Sequence, residues 1–282
     1  DIDHLVNECE KIIKLNNENS DILHIIKSNI FFDNNNIQVS EKIAQEAHKV
    51  TIDLKFIMID KKIYDFIKNL FSKKHISLKT IYCTTYIKSL GLIKKKEISG
   101  YSSFIDIGLK KSSLAIFKDY KLLYLNNTYV GADHITKDIS KILKINYRKA
   151  EAQKIKFSKN NELENENNEQ ELLKKIINSR LEEIVELLFL KCPLVTNSIF
   201  NSDLKLFFIG NGSKVLNENF LSFGPEFDFI SEMSIINEDK KDACDSALSF
   251  NSKDEKIQPV KPIISFENKG FFEKLFDYFN KK

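Results

Sequence analysis

Residues 104–117, FIDIGLKKSSLAIF, set an aspartate and a glycine between two alternating apolar runs. This reads as strand, tight turn and strand, and the chemistry such a hairpin supports is phosphate binding. Asp106 is placed to hold a metal-bound water, and glycine in the turn lets backbone N–H groups approach phosphate oxygens. Only Gly108 is present, with Leu109, Lys110 and Lys111 filling the turn, so a plain β-hairpin fits the spacing equally well. A second candidate is Gly210, Asn211 and Gly212 after the buried run LKLFFI, where the chain can pass close to a flat base or ribose; a lone GxG more often marks a structural turn. His24, His75 and His134 have no carboxylate or cysteine at ligand spacing. Cys9, Cys83, Cys192 and Cys244 stand far apart with no CxxC, which predicts neither a metal site nor a disulfide and suits a reducing compartment. No GxSxG or HExxH occurs, so nothing demands covalent or metal-centred chemistry.

The elements that must position these residues follow from periodicity. Residues 3–15 place Leu5, Val6, Cys9, Ile12 and Ile13 on one helical stripe. ILHII (22–26), IFF (30–32) and TIDLKFIMI (51–59) read as strands. Asp60 reads as the N-cap of an amphipathic helix through Ile63, Phe66, Ile67, Leu70 and Phe71, and ISLKTIYCTT (76–85) reads as another strand. From Tyr101 the texture becomes an antiparallel meander of three strands, then a helix capped by Asp133 with Ile135, Ile139, Ile142 and Leu143 inward. SKNNELENENNEQ (158–170) reads as a mobile loop, 171–190 as a long helix, and 204–213 as a buried strand entering the glycine turn. The rhythm is that of a layered α/β body.

Lys and Arg (43) nearly balance Asp and Glu (40), a net charge of +3 that gives none of the field a nucleic-acid binder carries. No apolar run approaches the length of a membrane span, and no signal peptide opens the chain, which places it in the cytosol. The terminal stretch GFFEKLFDYFNKK is different in kind. Phe271, Phe272, Leu275, Phe276 and Phe279 fall on one helical face, opposite Glu273, Lys274, Asp277, Lys281 and Lys282, after the polar run NSKDEKIQPVKP. That is the pattern of an interfacial membrane anchor, favoured over a self-docked helix. One copy binds an anionic surface marginally, so attachment needs several copies on one assembly.

Taken in order, these stretches resemble the bacterial FtsA family, the actin-like membrane tethers of the division ring. VTIDLKFIMIDKKIYDFIKNLFSKKHISLKTIYCTTYIKSLGLI resembles the stretch closing the family's inserted 1C subdomain and passing through a 1A helix and strand. FIDIGLKKSSLAIFKDYKLLYLNNTYVGADHITKDISKIL resembles its second phosphate loop, the following strands and a helix start at Gly131–Ile139. KAEAQKIK resembles the A-E-x-x-K element, and FFIGNGS the adenosine turn with Ile209 in place of Thr.

The resemblance implies an actin-like (ribonuclease H-like) α/β fold. Residues 1–58 are the remainder of a 1C-like subdomain and 59–99 a 1A-like portion. Residues 100–250 form a 2A/2B-like half, with 2B at roughly 145–202, residues 251–268 a linker, and 269–282 the membrane-targeting helix. It implies ATP with magnesium near Asp106, Gly108, Lys110, Lys111, Glu151, Lys154, Gly210, Asn211 and Gly212, at a loop degenerate enough that the nucleotide is held weakly or lost. No catalytic residue is assigned, and ATP hydrolysis is left open. It implies that Arg180, with Lys174 and Lys175 on the same helix, meets the acidic C-terminal tail of the tubulin-like FtsZ. Anionic lipid on the cytoplasmic face of the inner membrane at the septum, filament-forming self-association and other divisome proteins are the remaining implied partners. The family's opening strand hairpin has no counterpart here, and the chain starts at Asp1, so a fragment of a divergent member is expected. Two rivals stay open: a working actin-like ATPase, and a peptide-binding protein like the pilus-assembly protein PilM.

Overall fold

A computed structural model describes residues 2–32, 48–159, 168–200, 203–216, 223–239, 241–250 and 257–258. The terminal residues 269–282, and with them the anchor expected from Phe271, Phe272, Leu275, Phe276, Phe279, Lys281 and Lys282, lie outside the described residues.

Two sheets organise the chain. In the first, helix α1 (Ile2–Asn16) precedes β1 (Ser20–Phe32), which pairs antiparallel with β2 (Val50–Asp60). The two short runs expected at 22–26 and 30–32 are one 13-residue strand, because the polar Lys27 and Asn29 between them keep ladder partners, with Ser28 bulged between them and a second irregularity at Ile22/His24. Asp60 caps α2 (Lys61–Ser72), its carboxylate accepting from the N–H groups of Lys62 and Ile63 at 2.8 and 3.3 Å. The amphipathic face of α2 is as expected, yet Ile63, Phe66 and Leu70 remain more than half exposed among the described residues.

One expected strand is absent. Residues 76–83 pair with no described strand, and the chain enters α3 (Thr84–Lys96) where strand was expected to continue to 85. Ladder formation needs a partner edge as well as β-branched residues. Here the N–H of Cys83 is instead donated to the His24 ring, at 2.9 Å.

The larger sheet has the order β5 (Lys121–Thr128), β4 (Ser112–Lys118), β3 (Tyr101–Ile107), β6 (Leu204–Ile209) and β7 (Ile230–Ile235). The expected meander is present as β3 (Tyr101–Ile107), β4 (Ser112–Lys118) and β5 (Lys121–Thr128), all antiparallel. β6 (Leu204–Ile209) then adds in parallel to β3, and β7 in parallel to β6. Alternation assigns the faces. Ile105, Ile107, Leu114, Ile116, Leu206 and Phe208 pack under α4 (Ala132–Ile142) and α6 (Asn168–Phe189), through Ile135, Ile139, Leu181, Ile184 and Leu188. Phe104, Phe117, Phe207 and Ile209 face α3 through Tyr86, Ile87, Leu90 and Ile93, with Ile26 and Ile57 of the first sheet joining the same cluster. Helix α3 also packs on α7 (Asp242–Phe250), so closely that a Cβ on Gly91 would lie 2.9 Å from that of Ser246.

Two further expectations change. The N-cap of α4 is Gly131 and not Asp133, which sits in the first turn and takes the Lys137 ammonium and the Tyr147 hydroxyl, each at 2.7 Å. Within the stretch 158–170 expected as a loop, α5 (Tyr147–Lys159) runs to Lys159 and α6 begins at Asn168; 160–167 lie outside the described residues.

Candidate functional site

The carboxyl ends of the three parallel strands converge, which is where open α/β sheets place their ligand sites. Asp106 lies at the end of β3, Gly210 directly follows β6, and Glu238 stands three residues beyond β7. The side chain joining them is Lys88 of α3. Its ammonium is 2.9 Å from Asp106 Oδ2 and 2.8 Å from Glu238 Oε2, and Glu238 Oε2 also accepts the Gly210 N–H at 2.9 Å. All three side chains are nearly enclosed, at 10, 16 and 10% exposure for Lys88, Asp106 and Glu238. Burial alone would push the Lys88 ammonium down; the two carboxylates override it and hold the pKa above its usual value. Gly210 adopts φ +89°, and a Cβ there would lie 2.3 Å from Asp106 Oδ1, so only glycine lets the turn pass this close.

The turn after β3 is also occupied. The Gly108 N–H is donated to Lys111 O at 2.9 Å, and the carbonyls of Gly108 and Leu109 accept from Ala132 and Asp133, at 3.0 and 2.8 Å. The turn therefore caps the N-terminus of α4 with carbonyl oxygens, and Gly131 allows that approach: a Cβ on it would meet three backbone atoms at 2.7–2.8 Å. Lys110 and Lys111 point outward as exposed residues, Lys111 with its ammonium 5.7 Å from the Tyr129 ring centroid.

Glu151 and Lys154 do come together, one turn apart on α5. The buried Lys154 ammonium contacts Glu151 Oε2 at 2.7 Å, Thr136 Oγ1 at 2.6 Å and Ala132 O at 3.2 Å. Thr136 donates to the same Glu151 oxygen at 2.5 Å. Burial would raise the Glu151 carboxyl, but Lys154 and Thr136 outweigh it and hold the pKa low. Asn211 and Gly212 open a 3-10 turn, Asn211–Val215, that packs on α5, Asn211 exposed and Gly212 buried against Ile107.

The residues expected to meet a nucleotide thus gather in one region. The carboxylates among them are matched within the protein, Asp106 by Lys88 and Glu151 by Lys154, the N-terminus of α4 is covered by the turn, and Lys110 and Lys111 are exposed. This donor set does not fit a magnesium–nucleotide complex, whose phosphates need open N–H groups and whose metal needs an unpaired carboxylate. Sequence reading missed Lys88 and Glu238. The available signal was a lysine inside TTYIKSLGLI, an apolar helix that buries it.

A second region lies between α4 and α6. Asp138, Ile142, Leu172, Lys175, Ile176, Ser179, Arg180 and Glu183 line an open groove of about 530 Å³. Arg180 donates from Nε to Asp138 at 2.6 Å and from a terminal nitrogen to Glu183, and the Asp138 bond is the main cause of its raised pKa. Leu172 and Ile142 are 39 and 50% exposed along the same groove. Lys175 lies on its wall; Lys174, about 100° further round the helix, is not among the lining residues.

Residues 103–214 match the family model described as Cell division protein FtsA. No curated protein sequence matches the chain. A solved structure of the PilM-PilN type IV pilus biogenesis complex is similar over 90% of this chain and 65% of that one, at 12% identity and TM-score 0.55. MreB 5 of Spiroplasma citri bound to AMPPNP is similar over 68% of this chain and 65% of that one, at 16% identity and TM-score 0.52. The chain spans just under two thirds of the length of these structural relatives. The stretch from β3 to the glycine turn is thus similar to the FtsA family, and the fold around it is actin-like.

Proposed function

We propose that this protein links filaments of a division protein of the FtsZ type to the cytoplasmic face of the membrane, binding the filament through the α4–α6 groove and the lipid through residues 270–282. The observation carrying this reading is the groove itself. Arg180 and Lys175 stand beside the exposed apolar Leu172 and Ile142, a pairing that suits a short acidic segment with an apolar anchor residue, and it lies within the FtsA-matched residues. Asp138 and Glu183 hold the Arg180 guanidinium in place and are the groups an acidic tail displaces when it binds. The sequence of 270–282 supplies the lipid half: five apolar side chains on one face, and lysines at its end.

The test is binding of a fluorescent FtsZ C-terminal peptide to the full chain, run beside co-sedimentation with anionic vesicles. Arg180→Glu is expected to abolish peptide binding and spare lipid binding; Phe272→Glu with Phe276→Glu is expected to do the reverse. Peptide affinity unaffected by Arg180→Glu sinks the filament half of the reading. The similarity to a chain of the PilM-PilN complex over 90% of this protein supports a second reading, a peptide adaptor of pilus assembly. A PilN-derived peptide bound in preference to the FtsZ peptide would establish it.

A further inference from the structure

We propose that Lys88 is a resident cation that stands in for a metal–nucleotide complex, so that the cleft between α3 and the five-stranded sheet is held together by the protein's own charge and is indifferent to nucleotide. This inference is independent of the tethering function.

Asp106 is the carboxylate to which the sequence assigned a metal-bound water. Its Oδ2 is taken by the Lys88 ammonium, and its Oδ1 lies against the backbone of Gly210. The same ammonium reaches Glu238 beyond β7, so one side chain of α3 joins the ends of two parallel strands. Two carboxylates converging on one ammonium leave one negative charge over, whereas a divalent cation would balance the pair. Glu238 Oε1 is buried without a hydrogen-bond partner among the described residues. That oxygen marks a ligand set larger than a single ammonium fills, and it is the remnant expected where a cation of higher coordination number has been replaced. On the other side, the carbonyls of Gly108 and Leu109 occupy the N-terminus of α4, where phosphate oxygens would otherwise find N–H donors. Metal and phosphate positions are therefore both filled from within, by Lys88 and by the turn.

The experiment follows thermal unfolding of the full chain with ATP or ADP and magnesium, and with magnesium or manganese alone, for the wild-type protein and for Lys88→Met. The wild type should show no shift in Tm with any of these. Lys88→Met leaves two buried carboxylates facing each other and should lose about 6–10 °C, and millimolar magnesium or manganese should restore part of that loss by entering between Asp106 and Glu238. Lys88→Met combined with Asp106→Asn, with one carboxylate left, should gain nothing from either metal. A saturable rise in wild-type Tm with Mg–ATP or Mg–ADP overturns the proposal, as does a Lys88→Met protein that is no less stable or that ignores both metals. If Lys88→Met does not fold, Glu238→Gln, which keeps the Lys88–Asp106 pair, provides the measurement. It should be destabilised less and still be blind to nucleotide, and nucleotide binding by it would equally refute the proposal.

Discussion

His24 offers a quantitative test of how the first sheet is joined to the rest of the molecule. The ring is 1% exposed, lies between Tyr82 and Tyr86 with centroids at 5.7 and 5.1 Å, and accepts the Cys83 N–H on Nε2. Burial lowers its pKa from the ordinary 6.5 to about 4. A proton on Nε2 would also set two donors against each other. The folded protein therefore keeps the ring neutral while the unfolded chain protonates it near 6.5. The resulting stability is fully present above pH 6.5, falls as pH drops toward 4, and falls no further below that. At about 1.4 kcal/mol per pH unit, the interval is worth about 3 kcal/mol. Carboxylates titrate at the lower end of the same range, so the quantity to measure is a difference. Urea unfolding of wild type and of His24→Gln, whose amide oxygen can accept the same N–H without titrating, should give free energies that converge by about 3 kcal/mol between pH 7 and 4. A difference that stays flat across this range would refute both the burial argument and the neutral acceptor.

Three further outcomes follow from the geometry. Gly210→Ala puts a Cβ 2.3 Å from Asp106 Oδ1 on a residue at φ +89°; it should cost at least about 2 kcal/mol in urea unfolding, and a loss below 0.5 kcal/mol would mean the turn is not held against Asp106. Asp60→Ala removes the acceptor for two N–H groups of α2 and should cost about 1 kcal/mol, lowering the urea midpoint without changing the slope. Asp138→Asn removes the negative charge opposite Arg180 Nε while keeping an acceptor and should tighten binding of an acidic peptide several-fold in a fluorescence titration; weaker binding would show that the Asp138 charge positions the guanidinium and does not compete for it.

Where local pattern and tertiary need agree, the sequence is easy to read. The meander from Tyr101 to Thr128 and the Asp60 cap are such cases: alternation and a capping carboxylate act over a few residues and need no distant partner. Residues 76–83 carry equally good strand composition, but a strand exists only beside another, and no periodicity reports which edge is available. The charged groups were hard to read for the same reason. Asp106, Glu151 and Arg180 could be singled out by type and setting, whereas their partners Lys88, Thr136 and Asp138 come from elements up to 42 residues away. A carboxylate that appears available in sequence is matched or open depending on a side chain that spacing does not reveal.

The parallel pairing of β3 with β6 sets Ser102 opposite Lys205, and this separation has a consequence during synthesis. Roughly 80 residues are made between the end of β5 at Thr128 and the end of β6 at Ile209, which takes a ribosome about 4–16 s at roughly 5–20 residues per second. For that interval the completed meander carries an unpaired inner edge, with Phe104, Ile105 and Ile107 along it, while the helices α4 and α6 that cover one of its faces are still being made. Such an edge is a template for pairing with other nascent chains. Substitutions that weaken β6 will therefore register first in the yield of soluble protein, before they are visible in the stability of the molecules that finish folding.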